Sequence, residues 1–105
     1  MKTNEVKWYI ERPRHRFIKF FKTHPTYRKW IAKFQTDVTT DPRHHPSPSR
    51  IRSIEREDLY PPGTYRWRKS DLRIVYWVTE PPDSERPSVW PLDANTASEI
   101  RYKKG

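Results

Sequence analysis

The sequence predicts an α+β domain: an N-terminal strand, a helical hairpin, then a three- to four-stranded, mostly antiparallel sheet with the helices packed on one face. Two patterns and one compositional fact predict it. Apolar residues alternate near the start and again from residue 64, and recur at helical spacing only in between. The helical spacing forms a single block, which separates this order from alternating strand and helix. Finally, 14% of the 105 residues are Trp, Tyr or Phe. Disordered chains are poor in such rings, and rings bury much area per residue. They offset a polar composition of 33% charged residues, 11 prolines and a mean hydropathy of −1.17.

The elements follow in order. Val6, Trp8 and Ile10 alternate with Lys7 and Tyr9, giving a strand over 5–11 that Pro13 ends. Phe17, Phe20, Phe21 and His24 fall at helical spacing. Pro25 suits the first turn of a second helix, whose stripe is Tyr27, Trp30, Ile31, Phe34 and Val38. Asp41-Pro42 closes it, and the short link at His24-Pro25 makes the two helices nearly antiparallel. Residues 43–50 read as a Pro/Ser loop, and Ile51 and Ile54 with Arg50 and Arg52 as a short strand. A charged loop over 55–63 ends in a Pro-Pro-Gly turn. Residues 64–78 form two strands joined at Lys69-Ser70-Asp71, and 80–87 a loop. Ser88–Leu92 is a last strand weakened by Pro91, and 94–105 a polar tail. The whole span 1–105 is one domain.

The net charge is +9 and the sequence pI about 10.0. Such a balance points to a polyanion, first of all nucleic acid. Residues 1–50 hold 12 Lys/Arg against 4 Asp/Glu, and residues 51–105 hold 10 against 9. The absence of cysteine excludes disulfides and thiolate metal sites, and a cytoplasmic address is the expectation. MKTNEVKWYI has no apolar signal core, and the longest apolar run, Ile74 to Val78, is far too short for a membrane span.

The stretch TYRWRKSDLRIVYWV carries the functional signal. A two-residue loop at Ser70-Asp71 sets Arg68 opposite Arg73 and Arg66 opposite Val75. One side then holds Tyr65, Trp67, Leu72, Ile74, Tyr76 and Val78, a core face for the helices. The other holds Arg66, Arg68, Arg73, Val75 and Trp77. Like charges directly opposed across strands destabilise a sheet. An anion between them reverses the sign, and guanidinium forks fit phosphate oxygens. The competing expectation is a solvated face with each arginine paired to Glu55, Glu57 or Asp58. Trp77 is expected under the tail or the 80–87 loop, or else free to stack on a base.

With GTYRWRKSDLRIVYWV as its central hairpin, the chain resembles the RelE/ParE superfamily of bacterial toxin–antitoxin toxins. Asp41-Pro42 after the helical hairpin, Arg50-Ile51-Arg52 and the terminal Glu99-Ile100-Arg101-Tyr102 fit that layout. The resemblance implies a ribosome-dependent mRNA endonuclease, neutralised by a cognate antitoxin protein. The ribose 2′-OH attacks the adjacent phosphate, with no metal or other cofactor. It implies Arg66, Arg68, Arg73 and Tyr102 as catalytic residues. Arg50, Arg52 and Lys69, with Arg101, Lys103 and Lys104 of the tail, are the candidates for RNA contacts, or the tail cations dock an acidic antitoxin helix. Two departures stand out. The matched pair is arginine where some ribonuclease members have lysine, and arginine binds phosphate but is a poor base. Residues 93–98 also lack the Arg or His expected before the terminal tyrosine. The proton acceptor is therefore left to Tyr102, or to His44 or His45 if their loop folds over the sheet. The alternatives are a non-catalytic toxin of the same fold that inhibits DNA gyrase by protein binding, and a basic nucleic-acid-binding module with neither activity.

Overall fold

The computed structural model describes residues 6–56 and 58–96. Five strands form one sheet in the order β1-β5-β4-β3-β2. They are β1 (Tyr9–Ile10), β2 (Ile51–Ser53), β3 (Thr64–Lys69), β4 (Leu72–Thr79) and β5 (Ser88–Thr96). Helix α1 (His15–Thr23), a 3₁₀ run (Pro25–Trp30) and helix α2 (Ile31–Thr40) lie between β1 and β2 in the chain. The architecture is α+β, as the patterning predicts, with the N-terminal strand joining the later four in one five-stranded sheet. Among the described residues no helix is long and apolar enough to cross a membrane.

Three elements depart from expectation. The first is the N-terminal strand, which pairs only at Tyr9 and Ile10 and runs parallel to β5. Its ladder is the Tyr9 N–H on the Pro87 carbonyl at 3.0 Å and the Glu11 N–H on the Val89 carbonyl at 2.8 Å. Arg12-Pro13 then turns the chain, since proline has no N–H to extend a ladder. The Arg14 N–H still donates to the Pro91 carbonyl at 2.9 Å, so α1 starts against the β5 edge. The second is the start of the second helix. Pro25 offers no N–H, and no side chain caps this end. The segment therefore tightens to 3₁₀ turns before the α-helix begins at Ile31.

The third is β5, which runs to Thr96 rather than ending at Leu92. Val75 pairs with Asp93 and Tyr76 with Pro91, which leaves Leu92 as a bulge with no partner of its own. Bulges are one of the few places where a sheet accepts proline. The bulge also resets the alternation. Strict period two from Val89 would send Asp93 and Asn95 toward the helices. With the extra residue, Ala94 and Thr96 take those positions, and Asp93 and Asn95 turn to the opposite face.

The helical side of the sheet is the core. Phe17, Phe20, Phe21, Phe34 and Val38 pack on Ile51, Trp67, Leu72, Ile74, Tyr76, Val78, Val89 and Ala94, with Tyr65 partly buried beside them. Phe34 meets Trp67 and Tyr76 edge-on, at centroid distances of 5.7 and 5.6 Å. The polar tips of these rings are satisfied. Trp67 Nε1 donates to the buried Asp37 carboxylate at 2.8 Å, and the Tyr76 hydroxyl to the Pro42 carbonyl at 2.6 Å.

Candidate phosphate groove on the open sheet face

The β3–β4 hairpin adopts the register that places the arginines. Arg68 pairs with Arg73, Lys69 with Leu72 and Arg66 with Val75 around a Ser70-Asp71 loop. Ser70 takes a positive φ of 55°, and the Tyr27 hydroxyl bonds the Asp71 carboxylate at 2.8 Å, tying the turn to the helical layer. Arg52 on β2 pairs with Arg66, which adds a fourth guanidinium to the face. On the other side Asn95 pairs with Arg73 and Asp93 with Val75.

Arg66, Arg73, Val75, Trp77, Asp93 and Asn95 line a groove of about 1100 Å³. Ile54, Arg56, Leu59, Tyr60 and Pro61, from the segment between β2 and β3, and Arg14, His15 and Arg16, from the start of α1, line it too. One part of the lining is cationic and another apolar, with Val75, Trp77, Leu92 and Leu59. Trp77 is half-buried in this lining rather than fully covered, and its Nε1 donates to the Pro62 carbonyl at 3.1 Å. Gly63, with a φ of +89°, makes the Pro-Pro-Gly turn that packs there; a Cβ at this position would sit 3.3 Å from the Val78 carbonyl oxygen.

The arginines lack acidic partners. Among the described residues, Arg52, Arg66, Arg68 and Arg73 form no ion pair. Asp58 pairs with Arg56 at 3.1 Å, and Asp93 faces Arg16 at 3.7 Å. Glu57 lies outside the described residues. Arg66 donates only to the Ser49 carbonyl at 3.3 Å, and Arg68 only to the Ser70 carbonyl at 3.4 Å. The Nε of Arg73 and the Oδ1 of Asn95, on residues that are cross-strand neighbours, are both buried and both without a partner. The electrostatics match. Burial first, then repulsion from Arg73, Arg68 and Arg52, lowers the Arg66 pKa from its ordinary value. Burial and Arg68 do the same to Arg73. Both guanidiniums stay charged, because arginine is not deprotonated in proteins, so the face holds mutually repelling cations. Bound negative charge relieves that repulsion.

The other expected residues are dispersed. Lys69 points to the helical side, its ammonium 4.9 Å above the Trp30 ring. The Arg50 guanidinium lies 5.7 Å from the centre of the Trp67 ring. His44 and His45 do not fold over the sheet. His44 faces Asp41 at 3.6 Å and His45 faces Asp37 at 3.5 Å, beside α2. Tyr102, Arg101, Lys103 and Lys104 lie outside the described residues. The sequence reading missed His15, Tyr60, Asp93 and Asn95. Burial, and then the nearby Asp93 carboxylate, raises the Tyr60 phenol above its ordinary value. Only the bulge at Leu92 puts Asp93 and Asn95 here, and Pro91 was its one sequence sign.

Comparison with protein-family models, with curated proteins and with solved structures gives no match for this chain.

Proposed function

We propose that the protein is the toxin of a toxin–antitoxin pair and acts as a ribosome-dependent mRNA endonuclease. The observation that carries this reading is the convergence of Arg66, Arg68 and Arg73 on one open face without a carboxylate to neutralise them. Such a cluster costs stability and gains it back when a phosphodiester binds. In-line attack of a ribose 2′-oxygen on the adjacent phosphate gathers negative charge on the phosphate oxygens. Fixed cations around that position lower the barrier. In this reading Arg66 and Arg73, in the groove, hold the scissile phosphate, Arg68 at the exposed rim supports it, and Arg52 takes a flanking phosphate. Tyr102 assists from the C-terminal segment. The net charge of +9 suits docking into ribosomal RNA, and an acidic antitoxin segment would cover the same cations.

The test is cell-free translation with the purified chain, followed by primer extension on the message. Cleavage that depends on translating ribosomes is expected, and it should fall about 10²-fold or more in Arg73→Gln. Intact message at toxin concentrations that saturate the ribosomes overturns the reading. Loss of gyrase supercoiling in the same preparation would then favour the protein-binding alternative.

A further inference from the structure

Strand cleavage by 2′-oxygen attack needs a group to take the hydroxyl proton, and the arginines cannot do it. We infer that His15, at the start of α1, is the general base of this groove. The assignment rests on the ribonuclease reading above, and follows from what faces the space. Among the described residues, the titratable and charged side chains lining it are Arg14, just before α1, His15 and Arg16 from α1, Arg56 and Tyr60 from the segment before β3, Arg66 and Arg73 from the hairpin, and Asp93 from β5.

The five arginines stay protonated at any working pH. Asp93 is buried; one of its oxygens accepts the Ala94 N–H at 2.8 Å and the other faces Arg16 at 3.7 Å. This carboxylate is largely covered and held by both contacts, so it presents little surface to a ribose hydroxyl. The Tyr60 phenol is displaced upward by burial and by Asp93, which keeps its proton on. His15 is the one imidazole in the groove. It is exposed, and it forms no hydrogen bond, ion pair or ring contact with the rest of the described chain. The other histidines of the described chain are engaged elsewhere: His24 stacks on Phe20 at 4.2 Å, and His44 and His45 sit by the α2 carboxylates. A general base must come within hydrogen-bond reach of the proton it removes. An unpartnered imidazole on the lining shared with Arg66 and Arg73 can turn to meet a ribose whose phosphate those guanidiniums hold.

The step balances without further reagents. A lone pair on a His15 ring nitrogen takes the 2′-hydroxyl proton as the 2′-oxygen bonds to phosphorus. The bond from phosphorus to the 5′-oxygen breaks, leaving a 2′,3′-cyclic phosphate. The departing 5′-oxygen takes a proton from water, and the imidazolium returns its own proton to the resulting hydroxide.

The experiment is single-turnover cleavage of ribosome-bound message from pH 5 to 9, for the wild type, His15→Gln and His44→Gln. The wild-type rate should show an acid limb, falling toward low pH because a protonated imidazole cannot take the hydroxyl proton. His15→Gln should cut about 10²- to 10⁴-fold more slowly and lose that acid limb. His44→Gln should match the wild type. Thermal melts accompany the series, and an exposed residue without partners should leave Tm unchanged. Wild-type cleavage with His15→Gln equally fast and the acid limb intact overturns this assignment alone. A wild type that leaves the message uncut overturns the ribonuclease reading and this assignment with it.

Discussion

The two faces of this sheet are built from the same strands by opposite rules. On the helical face the central rings are matched: Phe34 seats its edge contacts on Trp67 and Tyr76, and the ring N–H and O–H of those two find Asp37 and the Pro42 carbonyl. On the open face the cations are set against each other, and a buried donor and a buried acceptor are left without partners. The helical face holds the fold; the open face gives up stability, which is what a binding site does when its complement is a ligand. If that division is right, substitutions should sort by face, with stability lost on one and function lost on the other.

The largest effect expected is on the helical face. Phe34→Ala removes a ring that is 1% exposed from the centre of the aromatic cluster. Such truncations cost about 3–5 kcal/mol, a large share of a small domain's stability. Urea unfolding followed by tryptophan fluorescence should show it as a shift of midpoint without a change of slope. A loss under about 1 kcal/mol would mean that the helices are not held on the sheet by this cluster.

The open face should respond the other way. Arg66→Gln and Arg73→Gln each remove a charge that others repel, so Tm should stay level or rise while cleavage falls about 10²- to 10³-fold. The checks are the melt and the primer-extension assay on the same samples. Lower Tm together with unchanged cleavage would break the division between the faces, by making these arginines structural. Inorganic phosphate sharpens the contrast. It should raise the Tm of the wild type and do so less for Arg73→Gln, with the effect fading as salt screens it.

The contrast between the faces also explains what could be read from the sequence. The helical stripes and the alternation of Tyr65, Trp67, Ile74 and Tyr76 state the core directly, because burying apolar area is a local, periodic demand. The arginine face follows from the same alternation once the loop at Ser70-Asp71 fixes the register. What was not legible comes from long-range placement. Residues 94–105 read as a polar tail, because strand propensity is low in Asp-Ala-Asn and the bulge at Leu92 has no periodic sign. His15 carries no motif or periodic signal in the sequence. It enters the site only because the Arg14 N–H caps the Pro91 carbonyl and brings the start of α1 to the β5 edge. A two-residue β1 likewise survives only through tertiary contacts: Glu11 accepts from Arg86 at 2.9 Å and from Ser88 at 2.7 Å.

Gly63 joins the two faces and should give an intermediate effect. Its φ of +89° lies where an L side chain is strained, and a Cβ would press on the Val78 carbonyl oxygen at 3.3 Å. Gly63→Ala should cost about 1–2 kcal/mol. It should also loosen the Pro62 carbonyl from Trp77 Nε1, so the fluorescence of the native state should change along with the midpoint. A midpoint shift with native fluorescence unchanged would detach the turn from the groove.

The smallest effect is the one most specific to the open face. Arg68 and Arg73 are directly paired across the hairpin, with Arg68 exposed and Arg73 partly covered. Opposed like charges cost about 0.2–1 kcal/mol, and exposure of Arg68 puts this pair toward the low end. In a cycle of Arg68→Gln, Arg73→Gln and the double variant, the gain in stability from either single change should shrink when the other is already made. That coupling has the sign of repulsion, and added salt should reduce it. A coupling of the opposite sign would mean that the two guanidiniums already share an anionic partner supplied by the chain itself. The groove would then have no charge left over for a phosphodiester, and the open face would be as self-satisfied as the helical one.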